Sequence, residues 1–233
     1  MDEYIFILSA MRSGSTLLQH IVGQRPEVLS AGETKIEYHS REDFEQLKRH
    51  LLDYNGVEER ADYIYLEKCV HRRYFPQPVQ VDGIRIKYLF ITRNPVPAMS
   101  SLLEQEGWPY AENTSSAAWY YDDRLKALVE LAQKLDRKAA AFVTYEELVA
   151  DPDPHLARLT RFLGMERPLV NRYPKQRWTA KISLGDVSDN IKASTILPAK
   201  RKNLVQLPGE MEASLKSLHK WTNECLADLC KGA

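Results

Sequence analysis

Short apolar runs alternating with amphipathic stretches dominate this chain. Ile5-Phe6-Ile7-Leu8 and Tyr63-Ile64-Tyr65-Leu66 are continuously apolar, and the runs from Ile86 to Thr92 and from Ala139 to Thr144 are mostly so. Runs of this length without strict polar alternation predict strands buried on both faces, as in a parallel sheet. Between them the apolar positions switch to helical spacing. Leu17, Leu18, Ile21 and Val22 share one face that ends near Gly23, and Phe44, Leu47, Leu51 and Leu52 mark a helix stopped by Asn55-Gly56. Tyr121, Leu125, Leu128, Ala132 and Leu135 trace a long helix after Arg93-Asn94-Pro95, where Asn94 and Pro95 suit a helix cap and first turn. Leu156, Leu159 and Leu163 trace another, opened by Asp151-Pro152 and stopped by Gly164, and Met211, Leu215, Leu218 and Leu229 predict a last one. The stretch from Arg25 to Lys35 is irregular. Alternating strands and helices predict an α/β fold, a three-layer sandwich around a central parallel β-sheet, with ligands at the carboxyl ends of the strands. Arg12, Lys68 and Arg93 each follow a predicted strand within a few residues, so this topology brings them to one sheet edge.

With 233 residues, 44% of them hydrophobic, the chain is expected to form one domain over 1–233. Its 32 Lys and Arg balance 32 Asp and Glu, which argues against a general nucleic-acid binder. Cys69, Cys225 and Cys230 are odd in number and lack metal-site spacing, so neither a disulfide framework nor a zinc site is expected, and a reducing compartment fits. The first predicted strand begins by Tyr4 and no apolar run approaches the roughly 18 residues needed to span a bilayer. The expectation is a soluble, cytoplasmic protein without a membrane anchor.

The turn between the first strand and first helix, Ser9-Ala10-Met11-Arg12-Ser13-Gly14-Ser15-Thr16, carries the chemistry. Two readings fit it. It is a tight turn with ordinary N-cap serines, or it is an anion cradle, in which the unpaired N–H groups of the helix start and the positive end of its dipole face a phosphate or sulfate. In the cradle, Gly14 allows close backbone approach, Ser13, Ser15 and Thr16 add hydroxyl donors, and Arg12 adds a full charge. A nucleoside-triphosphate kinase or GTPase loop would need Gly-Lys followed by Ser or Thr, and the turn has none.

Arg12-Ser13-Gly14-Ser15-Thr16-Leu17-Leu18 resembles the 5′-phosphosulfate loop of sulfotransferases that use 3′-phosphoadenosine 5′-phosphosulfate (PAPS). Arg93, with Ser101 eight residues later, resembles the family's 3′-phosphate grip. Thr144-Tyr145-Glu146-Glu147 through Phe162-Leu163-Gly164 is similar to the family's stretch after a late strand, whose Tyr lies near the adenine. Tyr145 then contacts the base, or is simply a core Tyr at a strand end. The three likenesses run in the family's order over most of residues 4 to 164. They imply a P-loop nucleotide-hydrolase-like fold, PAPS as sulfuryl donor, PAP as product and no metal. A sulfuryl group would pass to a hydroxyl or amine of a small-molecule or glycan acceptor.

Gly32-Glu33-Thr34 resembles the segment carrying a catalytic Glu in protein-tyrosine and some carbohydrate sulfotransferases, which makes Glu33 the expected base. The competing reading is a plain loop carboxylate, or one that orients Arg12. Soluble small-molecule relatives use a His, so His39 and His71 compete. Arg12 and Lys68 are expected to neutralise the leaving phosphate, although the family's Pro after Lys68 is replaced by Val70. Lys200-Arg201-Lys202-Asn203 is similar to a C-terminal segment that touches the 3′-phosphate, but lacks its Gly, and Ser194 and Thr195 are further possible contacts. Trp108, Tyr110, Trp119 and Tyr120 either line an acceptor cleft or fill a core. A non-catalytic PAP-binding protein is the other reading of the same residues. Oligomeric state is left open.

Overall fold

The computed structural model describes residues 1–77, 81–105, 107–181, 189–198 and 204–232. Its centre is a five-stranded sheet of β1 (Asp2–Leu8), β2 (Val28–Leu29), β3 (Ile64–Cys69), β4 (Ile84–Thr92) and β5 (Ala140–Thr144). The strand order is β2-β3-β1-β4-β5 and every pairing is parallel. Leu8 stands opposite Cys69 on one side and Phe90 on the other, while Thr92 stands opposite Thr144. All carboxyl ends therefore open on one edge, as the α/β pattern requires.

Side-chain alternation along the strands builds the three layers. Tyr4, Phe6 and Leu8 of β1, with Tyr88 and Phe90 of β4, face one core; Ile5, Ile7, Leu89 and Ile91 face the other. The first core is closed by α2 (Arg41–Asn55), α3 (Pro95–Leu103), α4 (Thr114–Ala132) and α8 (Gly209–Leu229). The second is closed by α1 (Ser15–Val22) and α6 (Pro152–Leu163), with the short α5 (Tyr145–Ala150) between β5 and α6. A one-turn helix, α7 (Asp189–Lys192), lies in the late connection. Because β1 is buried on both faces, the apolar run that predicted it has no polar side to show.

Differences from the sequence expectation are local. The irregular stretch after α1 contains β2, whose two residues are too few to carry a period. β3 extends to Cys69, so Lys68 is a strand residue rather than one following the strand. α4 stops at Ala132, short of Leu135. Among the described residues, no helix is long and apolar enough to cross a membrane, and no group of His, Cys, Asp and Glu is placed to hold a metal.

Candidate active site

The loop from β1 to α1 turns on two left-handed residues, Arg12 at φ 63° and Gly14 at φ 91°. The first is uncommon for a residue with a side chain and marks a backbone held against its preference. The first i→i−4 bond of α1 runs from Leu18 N–H to Gly14 O, at 3.0 Å, so the helix brings its early N–H groups to this loop. Ser13 and Ser15 are buried, and Ser13 Oγ has no hydrogen-bond partner among the described residues. Leu17 is half-buried and packs toward the second core, leaving only its backbone for the loop. A methyl group added at Gly14 would overlap the Tyr145 ring.

The other predicted anion residues meet this loop directly. Arg12 Nε donates to Ser101 Oγ at 2.9 Å, and Arg93 Nη1 donates to Arg12 O at 2.9 Å. The Tyr145 ring lies 4.2 Å from the Arg93 guanidinium, a cation–π contact. Arg93 leaves β4 just before α3, whose Asn94 cap accepts from Val96 N–H at 3.1 Å, and Tyr145 leaves β5 at the start of α5. Tyr121 Oη donates to Arg93 O at 2.5 Å and fixes that backbone from α4. Arg12, Ser13, Gly14, Arg93, Ser101 and Tyr145 thus form one assembly.

Lys68, only 2% exposed, reaches across from β3. Its ammonium donates to Thr16 Oγ1 at 2.9 Å and pairs with Glu33 Oε1 at 2.9 Å. Glu33 therefore engages Lys68, and Thr16 is the hinge between this pair and the start of α1. Glu67, one residue earlier and facing the first core, accepts from Thr34 N–H at 3.1 Å and so tethers the Gly32-Glu33-Thr34 segment. Burial pushes its carboxyl up to about 8, against the hydrogen bonds from Thr34, with the nearby Glu33 charge adding to the rise. The folded value lies above the ordinary 4.5, so the stability this group gives is full below about 4.5. It is lost as pH climbs towards about 8, at roughly 1.4 kcal/mol per pH unit. Glu67→Gln is expected to flatten that fall in denaturant titrations; an unchanged slope would assign it to another group.

The remaining candidates separate. His39 is exposed and sits 3.5 Å from Glu37, while His71 lies among Tyr74, Trp108, Tyr110 and Tyr120. Burial holds the His71 imidazole below its usual range, with Glu33 pulling the other way. Thr195 Oγ1 donates to Asn171 O at 2.8 Å, and Ser194 O accepts from Tyr173 N–H at 3.0 Å, so both tie down their own loop. Lys200, Arg201 and Lys202 lie outside the described residues. Val205, beyond them, donates its N–H to Ser100 Oγ at 2.8 Å, next door to Ser101. Of the four aromatic residues, Tyr120 is buried, Trp108 and Tyr110 are half-buried and Trp119 is 61% exposed.

Sequence reasoning missed Tyr120 as a brace: its Oη accepts from Met11 N–H at 3.1 Å and donates to Val70 O at 2.7 Å, joining the loop to the end of β3. It also missed His20, which holds Thr16 O and Thr179 Oγ1, each at 2.8 Å, from behind α1. No local signal in the sequence marks either residue.

Solved structures that share this fold include three sulfotransferases. The sulfotransferase domain of the Synechococcus PCC 7002 olefin synthase aligns with a TM-score of 0.60 and 20% identity, covering 93% of this chain and 94% of that one. The sulfotransferase domain from the curacin biosynthetic pathway gives 0.58 and 17%, over 98% of each chain. Mouse sulfotransferase SULT7A1, solved with PAP, gives 0.55 and 18%, over 98% of this chain and 89% of that one. A search of the curated proteins gave no match. The profile of the sulfotransferase domain matches residues 2–203, which span the loop, Glu33, Lys68 and the Arg93 assembly, and the chain belongs to that family.

Proposed function

We propose that the protein transfers a sulfuryl group from PAPS to a hydroxyl or amine of a small-molecule or glycan acceptor and releases PAP. The observation that carries this reading is the pair of bonds joining Arg12 to Ser101 and Arg93 to Arg12 O. These bonds hold residues from two different strand ends, β1 and β4, together at one sheet edge, which supports a single nucleotide lying across them.

In the reaction the acceptor oxygen or nitrogen forms a bond to sulfur while the bond from sulfur to the phosphate oxygen breaks. Glu33 takes the acceptor proton. Arg12, Lys68 and the N–H groups at the start of α1 meet the charge that grows on the departing phosphate, with Ser13, Ser15 and Thr16 as hydroxyl donors. The exchange of Lys68 from Glu33 towards that phosphate would free the carboxylate to take the proton from the acceptor. Arg93 and Ser101 hold the 3′-phosphate, together with Lys200 and Arg201, and Tyr145 keeps the Arg93 guanidinium in place beside the base.

Two measurements test the reading. PAP is expected to raise the melting temperature, since a ligand at 100 times its Kd adds about 2.7 kcal/mol of stability. Labelled sulfate from PAPS is expected to appear on a member of a hydroxyl and amine panel. Stabilisation by PAP with no acceptor labelled would point to a non-catalytic binder. Gly14→Ala is expected to abolish the PAP-dependent shift, because the variant must leave φ 91° and displace Tyr145; a normal shift would show that the loop is not the binding element.

A further inference from the structure

Arg124 lies on α4 one turn beyond Tyr120 and is only 7% exposed. Its Nη2 pairs with Asp123 at 2.9 Å, but its Nε and Nη1 have no hydrogen-bond partner among the described residues. Donors of a buried charged group left without acceptors are expensive, and packing alone gives no reason to keep an arginine there.

The surroundings point to a ligand. The guanidinium lies 5.1 Å from the centre of the Tyr120 ring, and Tyr120 itself braces Met11 and Val70 at the edge of the phosphosulfate loop. His71 and Tyr110 pack against Tyr120, and Trp108 against His71, all three half-buried. The His71 and Trp108 rings are parallel to within 7° with centroids 6.2 Å apart, and Tyr110 lies 4.6 Å from Tyr120. Glu33 is ion-paired with Lys68 of β3, the strand that leads on through Val70 to His71, and the Glu33 and Arg124 charges act on the His71 ring in opposite senses.

We propose that Arg124 anchors the carboxylate of an aromatic hydroxy-acid acceptor whose ring lies among His71, Trp108 and Tyr110 and whose hydroxyl is turned to Glu33. The inference rests on the sulfuryl-transfer reading and narrows it to an acidic acceptor. A singly charged acid suits the place better than a phosphate, because Asp123 and Glu33 already bring negative charge close by.

The test is calorimetry on the full chain saturated with PAP. The probes are 4-hydroxybenzoate, 4-hydroxyphenylacetate and 3-(4-hydroxyphenyl)propionate, each compared with its methyl ester. At least one acid is expected to bind about tenfold or more tightly than its ester, the scale of a charge-assisted hydrogen bond. Arg124→Gln is expected to erase that preference, and Arg124→Lys to keep part of it. Equal binding of all acids and esters to the wild type overturns the anchor without recourse to any variant. So does a preference that survives in Arg124→Gln while PAP still raises that variant's melting temperature. Sulfuryl transfer stands in both cases, whereas a wild type that fails to bind PAP removes that reading first and the anchor with it.

Discussion

Glu33→Gln is expected to lower turnover by roughly 10²- to 10⁴-fold, the usual weight of a general base, while PAP affinity changes little. The separation of the two effects follows from geometry. Among the described residues, Glu33 is joined to the β1–α1 loop through Lys68, whose ammonium holds Glu33 Oε1 and Thr16 Oγ1 at 2.9 Å each. The Gln side-chain oxygen can still accept from Lys68, so the fold of the loop is kept and only the proposed proton acceptor is lost. Lys68→Met is a poorer probe. It strands a partly buried carboxylate without its cation, a change that destabilises proteins by about 3–5 kcal/mol and mixes folding with catalysis. Single-turnover sulfation with PAPS in excess makes the measurement. Unchanged turnover in Glu33→Gln together with a collapse in His71→Asn would move the base to His71, whose imidazole feels the Glu33 charge.

Features written in consecutive residues were legible in the sequence. The β1 apolar run, the break at Arg12 to Gly14 and the return of apolar spacing at Leu17 are local, and they describe a strand, a turn and a helix in the places the structure has them, although the left-handed backbone of Arg12 was not legible. Arg93 and Ser101 were legible for the same reason, being a strand end and the second turn of the helix that follows. What could not be read are contacts between distant segments. The hydroxyl of Tyr120 reaches the loop across 109 positions, and the ammonium of Lys68 finds Thr16 across 52. Such bonds depend on strand order, which places β3 and β4 on either side of β1 and is not encoded in any one stretch. Glu67 and Arg124 were hidden in another way. A charged residue in a strand or on a helix ordinarily reads as a solvent-facing position, and only packing reveals that these two are buried.

Arg93→Ala is expected to weaken PAP by about 1.5–3 kcal/mol through loss of a charge-assisted contact, or roughly ten- to 150-fold in Kd. Two mechanisms predict a loss, and they differ in what else they touch. If Arg93 holds the 3′-phosphate, adenosine 5′-phosphate, which lacks that group, is expected to bind wild type and variant nearly alike, and the preference for PAP collapses. If Arg93 serves only as a strut, bonding Arg12 O at 2.9 Å and keeping Arg12 at φ 63°, both nucleotides weaken together, because the 5′-phosphate end of the site is disturbed. The Tyr145 ring 4.2 Å from the guanidinium supplies a control. Tyr145→Leu removes the cation–π support while leaving the charge, so it is expected to weaken PAP less than Arg93→Ala and to retain most of the discrimination against adenosine 5′-phosphate. Titration of the two nucleotides against the three proteins therefore separates direct grip from scaffolding. Equal losses for PAP and adenosine 5′-phosphate in Arg93→Ala would take the 3′-phosphate away from this residue.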